Sequence, residues 1–139
     1  MRVLLDTDVV LDLVLDRQPF VTEATSIWEL NYQGEIEAYV SAITPINVFY
    51  VTRKNKGLQA AHSAVEKLLV GLGACTIDAA VLHNARALPF ADYEDAVQCA
   101  AAIAAGLDAI VTRNVADYKA ATIPVYLPVD FLSKVSPAQ

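Results

Sequence analysis

Short apolar segments alternate with longer amphipathic ones along the chain, and this alternation limits the fold more than any other feature. Five short segments read as strands, namely residues 2–6, 35–41, 74–77, 108–112 and 124–126. Strands that alternate with helices are typical of α/β proteins. The pattern therefore predicts a three-layer α/β/α sandwich around a mostly parallel sheet.

The segments between the strands carry signals for the starts and ends of helices. Helices are predicted at residues 9–15, 19–32, 44–53, 58–69, 78–88 and 93–106, and a terminal helix from Pro128. Thr44 with Pro45 has the pattern of a cap followed by a first turn, and Asp78 is a predicted N-cap. Residues 114–119 are predicted to form a loop or a single helical turn.

The length and composition favour one compact domain. With 139 residues and 55% hydrophobic content, we expect a single domain over residues 1–139, with an ordered core to about residue 132 and a frayed tail at 136–139. No apolar run approaches the ~20 residues that a membrane helix needs. The chain opens in a strand rather than in a signal peptide, so a cytoplasmic protein is expected.

Charge and metal-binding residue types exclude several functions. Ten Lys and Arg against sixteen Asp and Glu give a net charge of −6, which argues against broad phosphate binding. A nucleic-acid enzyme is still compatible, because a bound cation would offset part of that charge. Cys75 and Cys99 form no CxxC pair, and His62 and His83 have no partner at ligand spacing, so a zinc site is not expected.

Polar residues from four remote segments should meet at one edge of the sheet. The carboxyl ends of parallel strands share an edge, and ligands bind there. An acid at the tip of a buried strand, such as Asp6, also needs a partner. The residues expected at this edge are Asp6, Asp8, Asn47, Asp92, Asp95, Thr112, Arg113, Asn114 and Asp117. Oxygen ligands without His or Cys select a hard ion, Mg²⁺ or Mn²⁺.

Some of these acids also have ordinary structural explanations. Asp92 is a natural N-cap, and Glu94 and Asp95 are acids of the kind expected in a first helical turn. Asp8 could simply cap the helix predicted from residue 9, and Asp117 could be a loop acid. Asp12 is expected to be a solvated helix residue.

Three segments resemble a PIN domain of the VapC-like kind: LLDTDVVLDLVL, DYEDAVQCAAAIAAGLDAIVTRNVADY and YLPVDFL. The likeness extends from residue 1 to about residue 132. It implies a metal-dependent nuclease that uses Mg²⁺ or Mn²⁺ and usually acts on RNA. In many members the domain is the toxin of a toxin–antitoxin pair, so the resemblance also implies an antitoxin partner and a homodimer.

The resemblance assigns roles to single residues. The family's first acid matches Asp6, the acid of its late helix matches Asp95, and its final acid matches Asp117, so these three are the expected metal ligands and catalytic residues. Thr112 and Asn114 match polar residues that support the site.

Arg113 is a candidate phosphate contact.

Two positions depart from the family pattern. Asp8 stands where the family more often has Asn. Asn47 stands where many catalytic members have Glu or Asp, and it offers an oxygen without a charge.

Two other functions compete with the nuclease. The opening segment also resembles haloacid-dehalogenase-type phosphatases, in which Asp6 would be the nucleophile, Asp8 the general acid and Ser41 a phosphate-binding hydroxyl. A PIN-like binding module without catalysis is the other alternative.

Overall fold

The computed structural model describes residues 1–135, which form five strands, seven α-helices and one short 3-10 helix. The predicted frayed tail, residues 136–139, lies outside the described residues. The strands are β1 (Arg2–Leu5), β2 (Glu37–Ser41), β3 (Gly73–Cys75), β4 (Ala109–Val111) and β5 (Val125–Tyr126). The helices are α1 (Thr7–Val14), α2 (Val21–Tyr32), α3 (Thr44–Lys56), α4 (Leu58–Gly71), α5 (Ala79–Arg86), α6 (Tyr93–Ala104) and α7 (Pro128–Val135), with the 3-10 helix at Val115–Tyr118.

The five strands form one sheet in the order β3-β2-β1-β4-β5, and every pairing between them is parallel. In the centre, Leu4 of β1 pairs with Tyr39 of β2 and with Ile110 of β4. The chain adds β2 and β3 on one side of β1, and then β4 and β5 on its other side. The direction in which strands are added therefore reverses between β1 and β4. A crevice therefore opens beyond the carboxyl ends of β1 and β4, where an open parallel sheet binds ligands.

Alternating side chains of the central strands supply two separate hydrophobic cores. Val3 and Leu5 of β1 face a core with residues of α1, α2, α3, α4 and α7, whereas Leu4 faces a core built with α5 and α6. Ile27 and Leu68 are fully or almost fully buried in the first core. Such a side chain contributes about 1.5–3 kcal/mol on burial. Helices on both faces of the sheet confirm the predicted three-layer α/β/α sandwich.

The start of α1 differs from the sequence prediction. The helix begins at Thr7, two residues before the predicted start, because Asp6 has extended backbone angles (φ −64°, ψ 154°) and its side chain accepts from the backbone N–H of Thr7. The interpretation of Asp8 as the cap is therefore wrong, since Asp8 lies in the first turn.

The start of α3 also differs from the prediction. Thr44 is the first helical residue and not the cap, and its hydroxyl points into the protein. The helix continues to Lys56, so Arg53, Lys54 and Lys56 lie in its last turn, where cations are favourable.

The remaining elements agree with the predictions to within a few residues at their ends. Asp78 caps α5 and Asp92 caps α6 through their side chains, as predicted. Gly106 follows α6 with a left-handed φ of +69°, a conformation that glycine adopts readily. Across residues 1–135, none of the helices combines the length and the apolar character that a membrane crossing requires.

Candidate active site

Asp6 stands at the tip of β1 and is held by three hydrogen bonds. Its Oδ1 accepts from the backbone N–H of Thr7 at 2.7 Å and from Nε2 of Gln98 at 2.6 Å. Its Oδ2 accepts from Oγ1 of Thr112 at 2.8 Å. The residue is only 6% exposed. Donors on both oxygens fix the orientation of the Asp6 carboxylate.

Asp8 lies one residue into α1 and has one unsatisfied oxygen. Its Oδ2 accepts from the backbone N–H of Arg113 at 3.3 Å and from Nδ2 of Asn114 at 3.0 Å. Its Oδ1 is buried and has no hydrogen-bond partner among residues 1–135. Burial, followed by the negative charge of Asp6, raises the pKa of Asp8 to about 7. A buried carboxylate oxygen of this kind is a ready ligand for a cation.

Gln98 is the central residue of the buried hydrogen-bond network, and the sequence analysis missed it. Its Nε2 donates to Asp6 and to the phenolic oxygen of Tyr118 at 3.0 Å. Its Oε1 accepts from the hydroxyls of Ser41 and Thr44, both at 3.2 Å. The side chain is 1% exposed. A lone amide in the small, apolar segment AVQCAAAIAA was the signal that could have identified it, because a buried amide needs several partners.

Tyr118 connects Gln98 to the second acid of the site. Its hydroxyl donates to Oδ1 of Asp95 at 3.2 Å. Burial and the charges of Asp6 and Asp95 raise the pKa of Tyr118, so the phenol keeps its proton. The pKa of Asp95 is itself raised to about 6, mainly by burial and then by the charges of Asp6, Asp92 and Asp117. Asp95 therefore lies within electrostatic reach of three other carboxylates.

Asp92, Asp117 and Asn47 lie on the outer side of this group. Asp92 is exposed, and its Oδ1 accepts from the backbone N–H of Asp95 at 3.0 Å, which is the ordinary capping role. Asp117 is exposed on the 3-10 helix. Asn47 is half-buried in the first turn of α3, and its Nδ2 donates to Oε1 of Glu94 at 2.9 Å. The observed partner of Asn47 is therefore an acid that the sequence analysis had treated as an ordinary first-turn residue.

Asp12 and Arg113 form an ion pair next to the site, and this corrects the prediction for Asp12. The Asp12 side chain is 2% exposed and is not solvated, as had been expected. Nε and Nη2 of Arg113 approach its two oxygens at 2.6 and 3.2 Å, and Nη1 of Arg17 lies 3.8 Å away. The Arg113 guanidinium also lies 3.9 Å from the centre of the Phe20 ring. Arg113, the candidate phosphate contact, is thus paired with an acid of the same chain.

The donor set fits a hard divalent cation in its chemistry. Asp6, Asp8 and Asp95 supply carboxylate oxygens, and the partnerless Oδ1 of Asp8 is of the type that Mg²⁺ or Mn²⁺ binds. Within residues 1–135, no group of three or more His, Cys, Asp and Glu side chains is arranged to hold a metal ion. The carboxylates are therefore close neighbours rather than a formed three-ligand site.

The geometry does not support the phosphatase alternative. Ser41, the proposed phosphate-binding hydroxyl, is fully buried and donates to Gln98. Asp6, the proposed nucleophile, has hydrogen-bond donors on both carboxylate oxygens. The Ser41 hydroxyl is therefore not available to a phosphate ester in this arrangement.

A family comparison identifies the chain. The model of the PIN domain family matches residues 2–116, which is most of the sequence. The chain therefore belongs to the PIN domain family. No curated protein matches it in sequence.

Solved structures with the same fold include toxin–antitoxin proteins. VapBC2 from Rickettsia felis, bound to a DNA fragment from its promoter, matches with a TM-score of 0.70 and 17% identity, over 91% of this chain and 97% of the other. A toxin–antitoxin complex from Klebsiella pneumoniae gives 0.68 and 24%, over 91% and 97%. VapC20 from Mycobacterium tuberculosis, described as a sarcin-ricin loop cleaving toxin, gives 0.64 and 14%, over 78% and 86%. At these identities the likeness supports the fold.

Proposed function

We propose that the protein is a metal-dependent nuclease that hydrolyses RNA phosphodiester bonds, with Mg²⁺ or Mn²⁺ held by Asp6, Asp95 and Asp117. The crowding of carboxylates in the crevice between β1 and β4 is the observation that carries this proposal. Burial and then the repulsion between these carboxylates raise the pKa values of Asp8 and Asp95 to about 7 and about 6. A divalent cation would remove this repulsion.

The residues of the chain have distinct tasks in this proposal. Thr7, Gln98 and Thr112 hold the Asp6 carboxylate in one orientation. Tyr118 donates to one oxygen of Asp95 and leaves the other for a ligand. When bound, the metal ion would lower the pKa of the attacking water and stabilise charge on the phosphate.

Partners are proposed by similarity to the solved structures. Several of those structures are toxin–antitoxin complexes. We propose that this chain is likewise the toxin of such a pair, that it binds an antitoxin protein and forms a homodimer, and that it acts in the cytoplasm as a single domain.

Cleavage of a fluorescent single-stranded RNA in the presence of Mn²⁺ tests the nuclease directly. Asp6→Asn removes a charged ligand and should lower the rate by more than about 100-fold, beyond the usual cost of losing an outer-shell partner. Asp95→Asn should reduce the rate strongly. Asp16→Asn is the matched control, because Asp16 is exposed and its left-handed backbone (φ 54°) suits Asn. Its activity should be unchanged.

The other outcomes separate the alternatives. Equal activity in all three variants would remove the metal-site assignment. Calorimetric Mn²⁺ binding by the native protein without RNA cleavage would favour the binding module. A phosphorylated Asp6 found by intact-mass measurement during hydrolysis of a phosphate ester would favour the phosphatase.

A further inference from the structure

An ion pair between the buried Asp12 and the partly exposed Arg113 lies one helical turn behind the acids of the site. Asp8 and Asp12 are four residues apart on α1, so they share a face of that helix. Nε and Nη2 of Arg113 donate to the two oxygens of the Asp12 carboxylate, at 2.6 and 3.2 Å. Phe20 covers the guanidinium from one side. The Arg113 side chain is therefore fixed in position as well as charge-paired.

The residues on either side of this arginine hold the acids. The turn formed by residues 112–114 presents Thr112 Oγ1 to Asp6 at 2.8 Å and Asn114 Nδ2 to Asp8 at 3.0 Å. The backbone N–H of Arg113 donates to Asp8 as well, and the backbone N–H of Asn114 closes the turn on Thr112 Oγ1 at 3.0 Å. The side chain of Arg113 thus points to Asp12 while its backbone faces the acids.

We propose that Asp12 is a positioning residue, which anchors Arg113 and so keeps the turn of residues 112–114 in the conformation that orients Asp6 and Asp8. One helix then supplies both an acid of the site, Asp8, and the anchor of the turn that binds this acid. The consequence for metal binding rests on the proposed function, whereas the anchoring of the turn does not.

An anchoring role for the Asp12–Arg113 pair and a phosphate contact at Arg113 lead to different predictions. A phosphate contact at Arg113 affects RNA binding alone, and removing Asp12 would release the guanidinium to bind phosphate more tightly. An anchor affects the acids without any RNA, and loss of either partner has the same result. Arg17 provides the matched comparison, because it approaches the same carboxylate at 3.8 Å from outside the turn.

The experiment compares Asp12→Asn, Arg113→Gln and their double variant with Arg17→Gln. One readout is the NMR signals of the side-chain and backbone amides of Asn114, and the other is the calorimetric dissociation constant of Mn²⁺ without RNA. Asp12→Asn and Arg113→Gln should each shift both amide signals and weaken Mn²⁺ binding about tenfold. The double variant should be no weaker than the worse single variant, because both break one link. Arg17→Gln should match the native protein.

Two further variants separate positioning from loss of stability. Ile27→Val removes a methyl group from the core at α2, which carries none of the site residues, and should leave Mn²⁺ binding unchanged. Arg113→Lys keeps a cation beside the buried Asp12 carboxylate, so this variant is expected to fold. A lysine cannot donate to both carboxylate oxygens in the geometry of the guanidinium. The variant should shift the Asn114 amide signal and weaken Mn²⁺ binding by less than Arg113→Gln does.

Native amide signals and native Mn²⁺ affinity in folded Asp12→Asn and Arg113→Lys would overturn the proposal and leave an ordinary structural ion pair. A raised KM for RNA in Arg113→Gln, with a lowered KM in Asp12→Asn and unchanged Mn²⁺ affinity in both, would instead establish a phosphate contact. If the native protein binds no Mn²⁺, the proposed function fails, and the amide signals alone decide whether Asp12 anchors the turn.

Discussion

The two sides of the site are built in different ways. The buried side consists of Asp6 with Gln98, Thr112, Thr44 and Ser41, all at most 6% exposed and joined by hydrogen bonds of 2.6–3.2 Å. The exposed side consists of Asn47, Asp92, Glu94 and Asp117, which lie on the first turns of α3 and α6 and on the 3-10 helix.

The difference separates fixed groups from adaptable ones. On the buried side, each polar atom that loses its partner bears the full cost of desolvation, so the arrangement is set when the chain folds. On the exposed side, water can replace a lost partner. We therefore expect changes on the buried side to lower both stability and function, and changes on the exposed side to leave stability almost intact.

The largest loss of stability is expected for Gln98→Leu. This change removes two donors and an acceptor, and it leaves Tyr118, Ser41 and an oxygen of Asp6 with fewer partners. The free energy of unfolding should fall by about 3 kcal/mol, the cost of one or two buried unsatisfied groups. Urea unfolding measures it. Gln59→Leu, at an exposed position of α4, should stay within about 0.5 kcal/mol of the native value, and equal losses in the two variants would contradict the comparison.

The pH dependence of stability should report the raised pKa values of Asp8 and Asp95, which lie between the buried and the exposed side of the site. The pKa of Asp8 is raised from 3.8 to about 7 in the folded protein. Between these values the unfolded chain binds fewer protons than the folded chain, so this carboxyl makes stability fall as pH rises. Asp95, raised to about 6, acts in the same direction.

Asp8→Asn should therefore stabilise the metal-free protein at pH 7.5. We expect a gain of about 1–2 kcal/mol, below the full value of the pKa shift because solvent screens a partly exposed carboxylate. The gain should vanish near pH 4, where the native carboxyl is protonated in the folded state. Urea unfolding at the two pH values tests this prediction. If the stability of Asp8→Asn depended on pH as that of the native protein does, the pKa of Asp8 would not be raised in the folded state.

A smaller effect is expected for Thr112→Val. The change keeps the shape of the side chain but removes the hydroxyl that donates to Asp6 and accepts from the Asn114 backbone. The free energy of unfolding should fall by about 1 kcal/mol. Thr52→Val is the control, because Thr52 is equally buried and its hydroxyl has no hydrogen-bond partner among residues 1–135. A stability loss in Thr52→Val as large as that in Thr112→Val would mean that the hydrogen bond to Asp6 adds nothing.

The smallest effect is expected on the exposed side, at Asn47. Asn47→Asp removes the donor to Glu94 and sets two carboxylates side by side, which should cost the metal-free protein about 0.5 kcal/mol. Asn47→Ala removes the same hydrogen bond without adding a charge and should cost less. Unfolding measured with and without Mn²⁺ distinguishes them, because a cation would cancel the added repulsion. A loss above that of Thr112→Val would place Asn47 on the buried side.

Local patterns were enough to predict the elements of the fold. The order of strands and helices, the caps at Asp78 and Asp92 and the parallel sheet all follow from turn residues, periodicity and alternation, which act between residues a few positions apart. The sheet edge shared by the acids also follows, because the right-handed crossover rule leaves few arrangements of parallel strands. The structure does bring Asp6, Asp8, Asp95 and the residues of the 112–114 turn together at that edge.

The sequence by itself thus determined which segments fold and at which edge the acids lie. Only the tertiary structure decided the partner of each polar group. Asp12 and Gln98 look like ordinary helix residues in sequence, and they become central because Arg113 and Asp6 meet them across 101 and 92 positions of the chain. Hydrogen bonds of this kind depend on directions and distances accurate to a few tenths of an ångström, and such accuracy is fixed only when the sheet and its two helical layers pack together.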